Sequence, residues 1–310
     1  GVTIIALGAL LMPALKEAGY LDRFSLGMVT SAGSLGLLFA PSLPLILYGV
    51  VSGESIRDLF IAGIIPGVLM VALLAGYSVW TCRGVKRPLA RFSKQEALTS
   101  LRDAAWEIPL PIVVLGGIYS GFFAVSEAAA VMAVYVIVVE VFVLKEVPIS
   151  KLPRIMRESS VLIGGIMLIL GLSLASTNFM IDAGVPQKLL ALISQWVSSQ
   201  FTFVLLLLAF LLVLGAILDI FSALVLMVPL VLPVATEFGV DPIHLGILFL
   251  AAMELGYLTP PVGMNLFISS YRFDRPITAV YLSTIPFFLV MLVSVLVIAF
   301  WPQLSLWLLA

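Results

Sequence analysis

Ten apolar stretches, at 2–15, 25–52, 59–81, 108–123, 125–143, 159–180, 201–218, 222–236, 243–271 and 277–301, fill most of this 310-residue chain and leave it one solvent to fold in. A helix of about 20 apolar residues crosses the ~30 Å hydrocarbon core of a bilayer. Backbone N–H and C=O groups find no water there, so runs of this length must satisfy them internally, as helices do. The chain is therefore read as an all-α polytopic membrane protein. Composition agrees: 62% of residues are hydrophobic and 11% charged, against about 25% charged in soluble domains, and the mean hydropathy is +1.21.

The same inventory removes several classes of chemistry. Cys82 is the lone cysteine and cannot close an internal disulfide. His244, the lone histidine, has no Cys or His companion at ligand spacing, so no transition-metal site is expected. No Gly-x-x-x-x-Gly-Lys-Ser/Thr loop is present to drive the protein with ATP. The net charge of −1 singles out no partner; the lipid bilayer is the surface the composition demands, and no nucleic acid is expected. Gly1 lies inside an apolar segment with no methionine or signal peptide, so the sequence is expected to be truncated at its N-terminus.

A second constraint is an internal repeat. Shifted by 220 positions without gaps, the chain pairs Pro13 with Pro233, Glu17 with Glu237, Gly19 with Gly239, Ala32 with Ala252, Leu35 with Leu255 and Gly36 with Gly256. The match continues through Leu38 with Leu258, Pro41 with Pro261, and Ile65-Pro66 with Ile285-Pro286. Both copies contain a Gly/Pro interruption of an apolar stretch, GSLGLLFAPS at 33–42 and ELGYLTPPVGMN at 254–265. A repeat with a broken helix in each half points to the binding site of a secondary transporter.

Segments 201–218 and 222–236 are joined by only Asp219-Ile220-Phe221, and the second, at about 15 residues, is short for a full crossing. They read as a re-entrant helical hairpin with its tip near the midplane, a tight turn between two ordinary spans being the alternative. By the repeat, 2–15 is the second arm of an equivalent hairpin whose first arm and tip would precede Gly1.

Charge orients these segments. With loops 16–24, 82–107, 144–158 and 272–276 on the cytoplasmic side, 14 of the 16 Lys and Arg residues lie there, and the opposite loops, 53–58, 181–200 and 237–242, keep only Arg57 and Lys188. That is the positive-inside bias. It puts loop 16–24 and its counterpart 237–242 on opposite sides, so the two halves are inverted. The parity assumes that 108–143 makes two crossings; a single bent span would break it. The chain accordingly divides into 1–81, the C-terminal part of a first inverted repeat; 82–107, a basic cytoplasmic connector; and 108–310, the second repeat, with its hairpin at about 201–236 and its broken helix at 243–271. From Arg91 to Trp106 the connector reads equally as an amphipathic surface helix or a solvated loop.

Glu127, Glu140, Asp219 and Glu254 are the charged residues placed within apolar segments, and intramembrane carboxylates are candidates for cation handling. Glu140 sits near a segment end and reaches water. Glu127 reads as serving a helix N-terminus. Asp219 and Glu254 are better placed, with capping of freed amides as the competing role. The breaks carry the stronger argument. Proline removes an amide donor and frees carbonyls, and glycine lets a ligand approach the backbone. A half-helix C-terminus with unwound carbonyls suits Na⁺, and the following N-terminus suits an anion. Ser34, Ser42, Thr259 and Asn265 add neutral oxygens there, a donor set suited to a monovalent cation rather than Ca²⁺.

These residues resemble a known family. Gly33-Ser34-Leu35-Gly36 and the run from Pro41 to Gly49 are similar to the first-half signature of the large membrane subunit of tripartite ATP-independent periplasmic (TRAP) transporters, as are the runs from Phe60 to Gly67 and from Gly116 to Gly121. The runs from Ala183 to Gln187, Val228 to Val234 and Leu258 to Leu266 complete the resemblance, in order, along essentially the whole chain. Two departures stand out: Ala40 replaces the first proline of a usual pair, and Ala124-Val125-Ser126-Glu127 replaces Thr-Pro-Thr-Glu.

The resemblance implies an elevator-type transporter with inverted structural repeats, re-entrant hairpins and broken transmembrane helices. It implies Na⁺ as the coupling ion, no other cofactor, and symport of an organic acid: a C4-dicarboxylate, keto acid, sugar acid or sialic acid. An extracytoplasmic substrate-binding protein would deliver the acid, and a small four-helix membrane subunit would brace the scaffold. One Na⁺ site is expected at Gly33, Ser34, Gly36, Pro41 and Ser42, and a second around Gly215, Asp219, Ser222, Gly256, Thr259, Pro260, Gly263 and Asn265. Ser42, Ser222, Pro261 and Asn265 are expected at the substrate, whose carboxylate would meet hairpin-tip and half-helix amides. The family's subunit begins earlier, so the first site is expected to be incomplete here and the chain alone unable to transport. The alternatives are a Na⁺- or H⁺-coupled carboxylate carrier of the same superfamily that needs no binding protein and, less favoured, an intramembrane enzyme, for which no Ser/His or paired-ligand arrangement speaks.

Overall fold

The computed structural model describes residues 2–83 and 93–309. These form two compact units, one of Gly1–Arg87 with Ser173–Ala310 and the other of Pro88–Leu172. The elements in chain order are α1 (Val2–Glu17), α2 (Asp22–Ala32), a 3₁₀ turn (Leu35–Leu38), α3 (Leu43–Ser52), α4 (Ile56–Ala62) and α5 (Ile64–Thr81). Then come α6 (Lys94–Asp103), α7 (Pro109–Tyr119), α8 (Val125–Ile137) with a π turn (Val138–Val143), and α9 (Leu152–Asp182). The chain continues with α10 (Val185–Ser194), α11 (Gln200–Ile217), α12 (Ile220–Glu237), α13 (Pro242–Gly256), α14 (Met264–Phe273), α15 (Ile277–Phe300) and α16 (Gln303–Leu306). Six helical stretches among the described residues are long and apolar enough to cross a membrane. The pair Asp22–Leu38 and Leu43–Ser52, bent by 42°, makes up to seven. No strand occurs among the described residues.

Helix ends follow local chemistry. Ser42, Ser55, Ser199, Asp219 and Asp241 each cap a helix with a side-chain oxygen, supplying a partner for amides that have none inside the helix. α1 and α12 stop in the same way. Gly19 and Gly239 both sit at φ 79°, a left-handed conformation that glycine alone adopts without a Cβ penalty. Around them, Tyr20 N–H donates to Leu15 O and Gly19 N–H to Lys16 O, while Val240 N–H donates to Ala235 O and Gly239 N–H to Thr236 O.

These stops lie 220 positions apart, as do the starts of α2 and α13, and Ile56–Thr81 answers to Ile277–Phe300 in the same way to within a residue. Packing is exchanged between the copies: α1 lies against α14, and α12 against α3. The core of the larger unit is α13, buried from His244 to Gly256 and packed by α11, α12, α15, α3, α4 and the 3₁₀ turn. In the other unit α7 and α8 are two helices, turned at Gly121 (φ 75°) and packed together.

Two expectations are corrected and one open alternative is decided. α12 has 18 residues and its link to α11 is Leu218-Asp219 alone. The Asp219 cap lets the helix begin at Ile220, so the arm is not shorter than α11, which also has 18 residues. The region 181–200, read as a loop, holds α10, with Pro186 in its first turn, where a missing N–H costs nothing. Within 91–106 a helix does form at Lys94–Asp103, capped by Ser93; Arg91 and Phe92 lie outside the described residues.

Candidate functional site

The first break lies between α2 and α3. Beyond Ala32 the chain passes through Gly33, which rests on Ile4 of α1, then Ser34 and the 3₁₀ turn. Ser34 and Ser42 are buried, while Gly36 and Pro41 are exposed. The Ser42 hydroxyl donates to Leu37 O and accepts Leu45 N–H (3.5 Å), tying the turn to the first turn of α3.

The second break, 257–263, follows α13. Thr259 Oγ1 donates back to Gly256 O (2.7 Å), and Pro260 and Pro261 are exposed. Both breaks contain a cis X–Pro bond, Ala40–Pro41 and Pro260–Pro261. The second break is sewn to the end of α11: Val262 and Gly263 amides both donate to Ala216 O (3.1 and 3.2 Å). α11 and α13 touch through glycines, and a Cβ added at Gly256 would stand 2.7 Å from Gly215 Cα.

At the α11–α12 link the Asp219 carboxylate is engaged. Its Oδ1 accepts the Phe221 and Ser222 amides (both 3.0 Å), and its Oδ2 accepts the Ser222 hydroxyl (2.6 Å). The first amide of α12, on Ile220, donates to the Tyr257 hydroxyl (2.7 Å). These amides, expected to face a substrate carboxylate, therefore have protein partners in this state. Glu127 likewise caps α8, accepting Ala124 N–H at 2.9 Å.

The two expected sites meet. Asn265, at the start of α14 and buried, donates from Nδ2 to Ser34 Oγ (3.1 Å) and to Thr30 O (3.4 Å). Next to this bridge the Thr30 hydroxyl donates to Ser269 Oγ (2.9 Å). Asn265 Oδ1 is buried and finds no partner among the described residues, and the same holds for Ser31 Oγ. Glu254, a residue with no exposed surface in the last turn of α13, lies beside the first break's 3₁₀ turn, with its carboxylate near the Leu37 amide. Thr30, Ser31, Ser269 and Tyr257 were not singled out by the sequence; a polar residue one helical turn before each break residue is the signal that finds Thr30.

Chemically, the C-termini of α2 and α13 bring partial negative charge to the junction, and the N-termini of the ten-residue α3 and α14 bring partial positive charge. Buried neutral oxygens at the C-terminal ends suit a small hard cation, and the N-terminal ends suit an anion.

Comparison with known proteins identifies the family. Residues 2–304 match the family model "Tripartite ATP-independent periplasmic transporter, DctM component". The chain is 34% identical over 305 residues to the C4-dicarboxylate TRAP transporter large permease protein DctM of Pseudomonas aeruginosa, covering 98% of this chain and 71% of the relative. It is 32% identical to the ectoine/5-hydroxyectoine large permease UehC of Ruegeria pomeroyi, over 99% of this chain and 72% of that protein. It is also 32% identical to the sialic acid TRAP transporter permease SiaT of Haemophilus influenzae, over 96% of this chain and 48% of that longer protein. The chain belongs to the DctM component, the large permease subunit, of the tripartite ATP-independent periplasmic transporters: a multi-pass bacterial inner-membrane permease and not an enzyme.

Proposed function

We propose that this subunit carries out Na⁺-coupled symport of an organic acid by an elevator mechanism, with the two breaks as its ion sites. The observation that carries the reading is the Asn265–Ser34 hydrogen bond, which brings both breaks to one buried junction. The first site is centred on Ser34, with Gly33, Gly36, Pro41 and Ser42 around it, and the second on Thr259 and Asn265, with Gly256, Pro260 and Gly263. Gly215, Asp219 and Ser222 bound the second site from the hairpin side. Substrate lies at Ser42, Ser222, Pro261 and Asn265.

The halves work as inverted repeats, 1–81 and 108–310 about the connector 82–107. The shared shift of 220 in helix ends and the exchanged packing of α1 on α14 and α12 on α3 support this. α11 and α12 act as the re-entrant hairpin. The substrate is an organic acid of the kind named for relatives: C4-dicarboxylates, sialic acid, ectoine or isethionate. An extracytoplasmic binding protein delivers it, and a small four-helix subunit braces the scaffold; a relative named as a DctMQ permease supports the second partner.

The test is uptake by the whole subunit reconstituted with both partners. An inward Na⁺ gradient drives accumulation of at least one organic acid. Absence of any Na⁺-gradient dependence sinks the proposal, and uptake retained without the binding protein favours a binding-protein-independent carrier.

A further inference from the structure

The link between α11 and α12 is two residues long, Leu218-Asp219, yet the second break holds it from both sides. On the α11 side Ala216 O accepts the amides of Val262 and Gly263. On the α12 side the Ile220 amide donates to the Tyr257 hydroxyl, with both residues buried. The first amides of a helix have no partner within it. Asp219 serves those of Phe221 and Ser222, and Tyr257 serves that of Ile220. Tyr257 stands where the first half has Leu37, which has no hydroxyl to offer.

We propose that Tyr257 is the latch of the α11–α12 hairpin, a positioning residue whose hydroxyl holds the hairpin tip closed on the second break. The latch rests on the reading of α11–α12 as a hairpin beside an ion site. The matching position of the first half, Leu37, carries no such hydroxyl. Opening the tip separates the phenol from the Ile220 amide and frees that one donor, while Asp219 still holds the amides of Phe221 and Ser222. The aromatic ring alone cannot do this, because only the oxygen reaches the amide.

The experiment uses the whole transporter in lipid nanodiscs, with native cysteines including Cys82 replaced by serine and a reporter cysteine introduced by Phe221→Cys. The labelling rate by a membrane-impermeant thiol reagent reads tip opening and needs no assumption about the coupling ion. Tyr257→Phe keeps the ring and removes the hydroxyl. It is expected to speed labelling about 2- to 10-fold, the worth of one hydrogen bond. Ile220→Pro removes the amide donor from the other side, at a first helical position that accepts proline, and is expected to give the same gain. The double variant labels no faster than either single one. An unchanged rate in Tyr257→Phe, or single effects that multiply in the double variant, overturns the latch. If the latch behaves as stated while wild-type uptake ignores Na⁺, the Na⁺ reading falls and the latch stands.

Discussion

Gly256 gives the sharpest stability prediction, because what a side chain there would meet is backbone. A Cβ at Gly256 would lie 2.7 Å from Gly215 Cα and 2.8 Å from Gly215 C, whereas carbon atoms rest at about 3.5–4.0 Å. Gly256→Ala therefore forces α11 and α13 apart by about 1 Å. Overpacking of this kind costs about 1–3 kcal/mol. The same displacement carries Ala216 O away from the Val262 and Gly263 amides, now at 3.1 and 3.2 Å, to a separation outside hydrogen-bonding range. Two lost bonds at about 1 kcal/mol each bring the total to roughly 3–5 kcal/mol. On the scale of globular domains that is on the order of 5–10 °C in melting temperature. Two companions fix the interpretation. At Gly215 an added Cβ would lie 3.1 Å from Gly256 Cα, a milder clash, and at Gly76 it would meet nothing within 4 Å. Thermal unfolding of the purified whole subunit should rank Gly256→Ala as the most damaging, Gly215→Ala next and Gly76→Ala at or above wild type. A Gly256→Ala protein melting with the Gly76→Ala protein would refute the close helix contact.

Two further predictions follow the hydrogen bonds. Asp219→Ala removes the cap of α12 and should destabilise the protein by about 0.5–2 kcal/mol, while Asp219→Asn, itself a good cap, should recover most of the loss in the same melting assay. Asn265→Leu keeps the volume but breaks the bridge to Ser34 and Thr30. It should raise the Na⁺ concentration for half-maximal uptake about tenfold, read from uptake by the reconstituted transporter.

What the sequence made legible follows from how glycine and proline act. They constrain the chain where they stand, so Pro41 and Pro260 mark the breaks without knowledge of the rest of the fold, whereas Gly19 and Gly239 are legible in the sequence only as a repeated pair. Gly33 and Ser34 fall where the chain leaves α2 and Thr259 and Pro260 where it leaves α13, while Ser42 and Asn265 stand where the next helix begins. The meeting of the breaks was not legible, because Ser34 and Asn265 are 231 positions apart and nothing local records which of the many buried hydroxyls will face an amide. Tyr257 was hidden for the same reason: its ring reads as one more apolar residue, and its oxygen matters only beside Ile220. Asp219 shows a different limit. Its type and position fitted both cation handling and capping, and only the three donors around its oxygens show the second role in use.

The most direct test of the junction as an ion site is whether Na⁺ itself stabilises the whole subunit, since a ligand that binds the folded state raises its melting temperature by mass action. Na⁺, but not K⁺ at equal ionic strength, is expected to raise the melting temperature of the wild-type subunit, and Asn265→Leu to lose most of this rise. Equal stabilisation by Na⁺ and K⁺, or a Na⁺ effect untouched by Asn265→Leu, would contradict it.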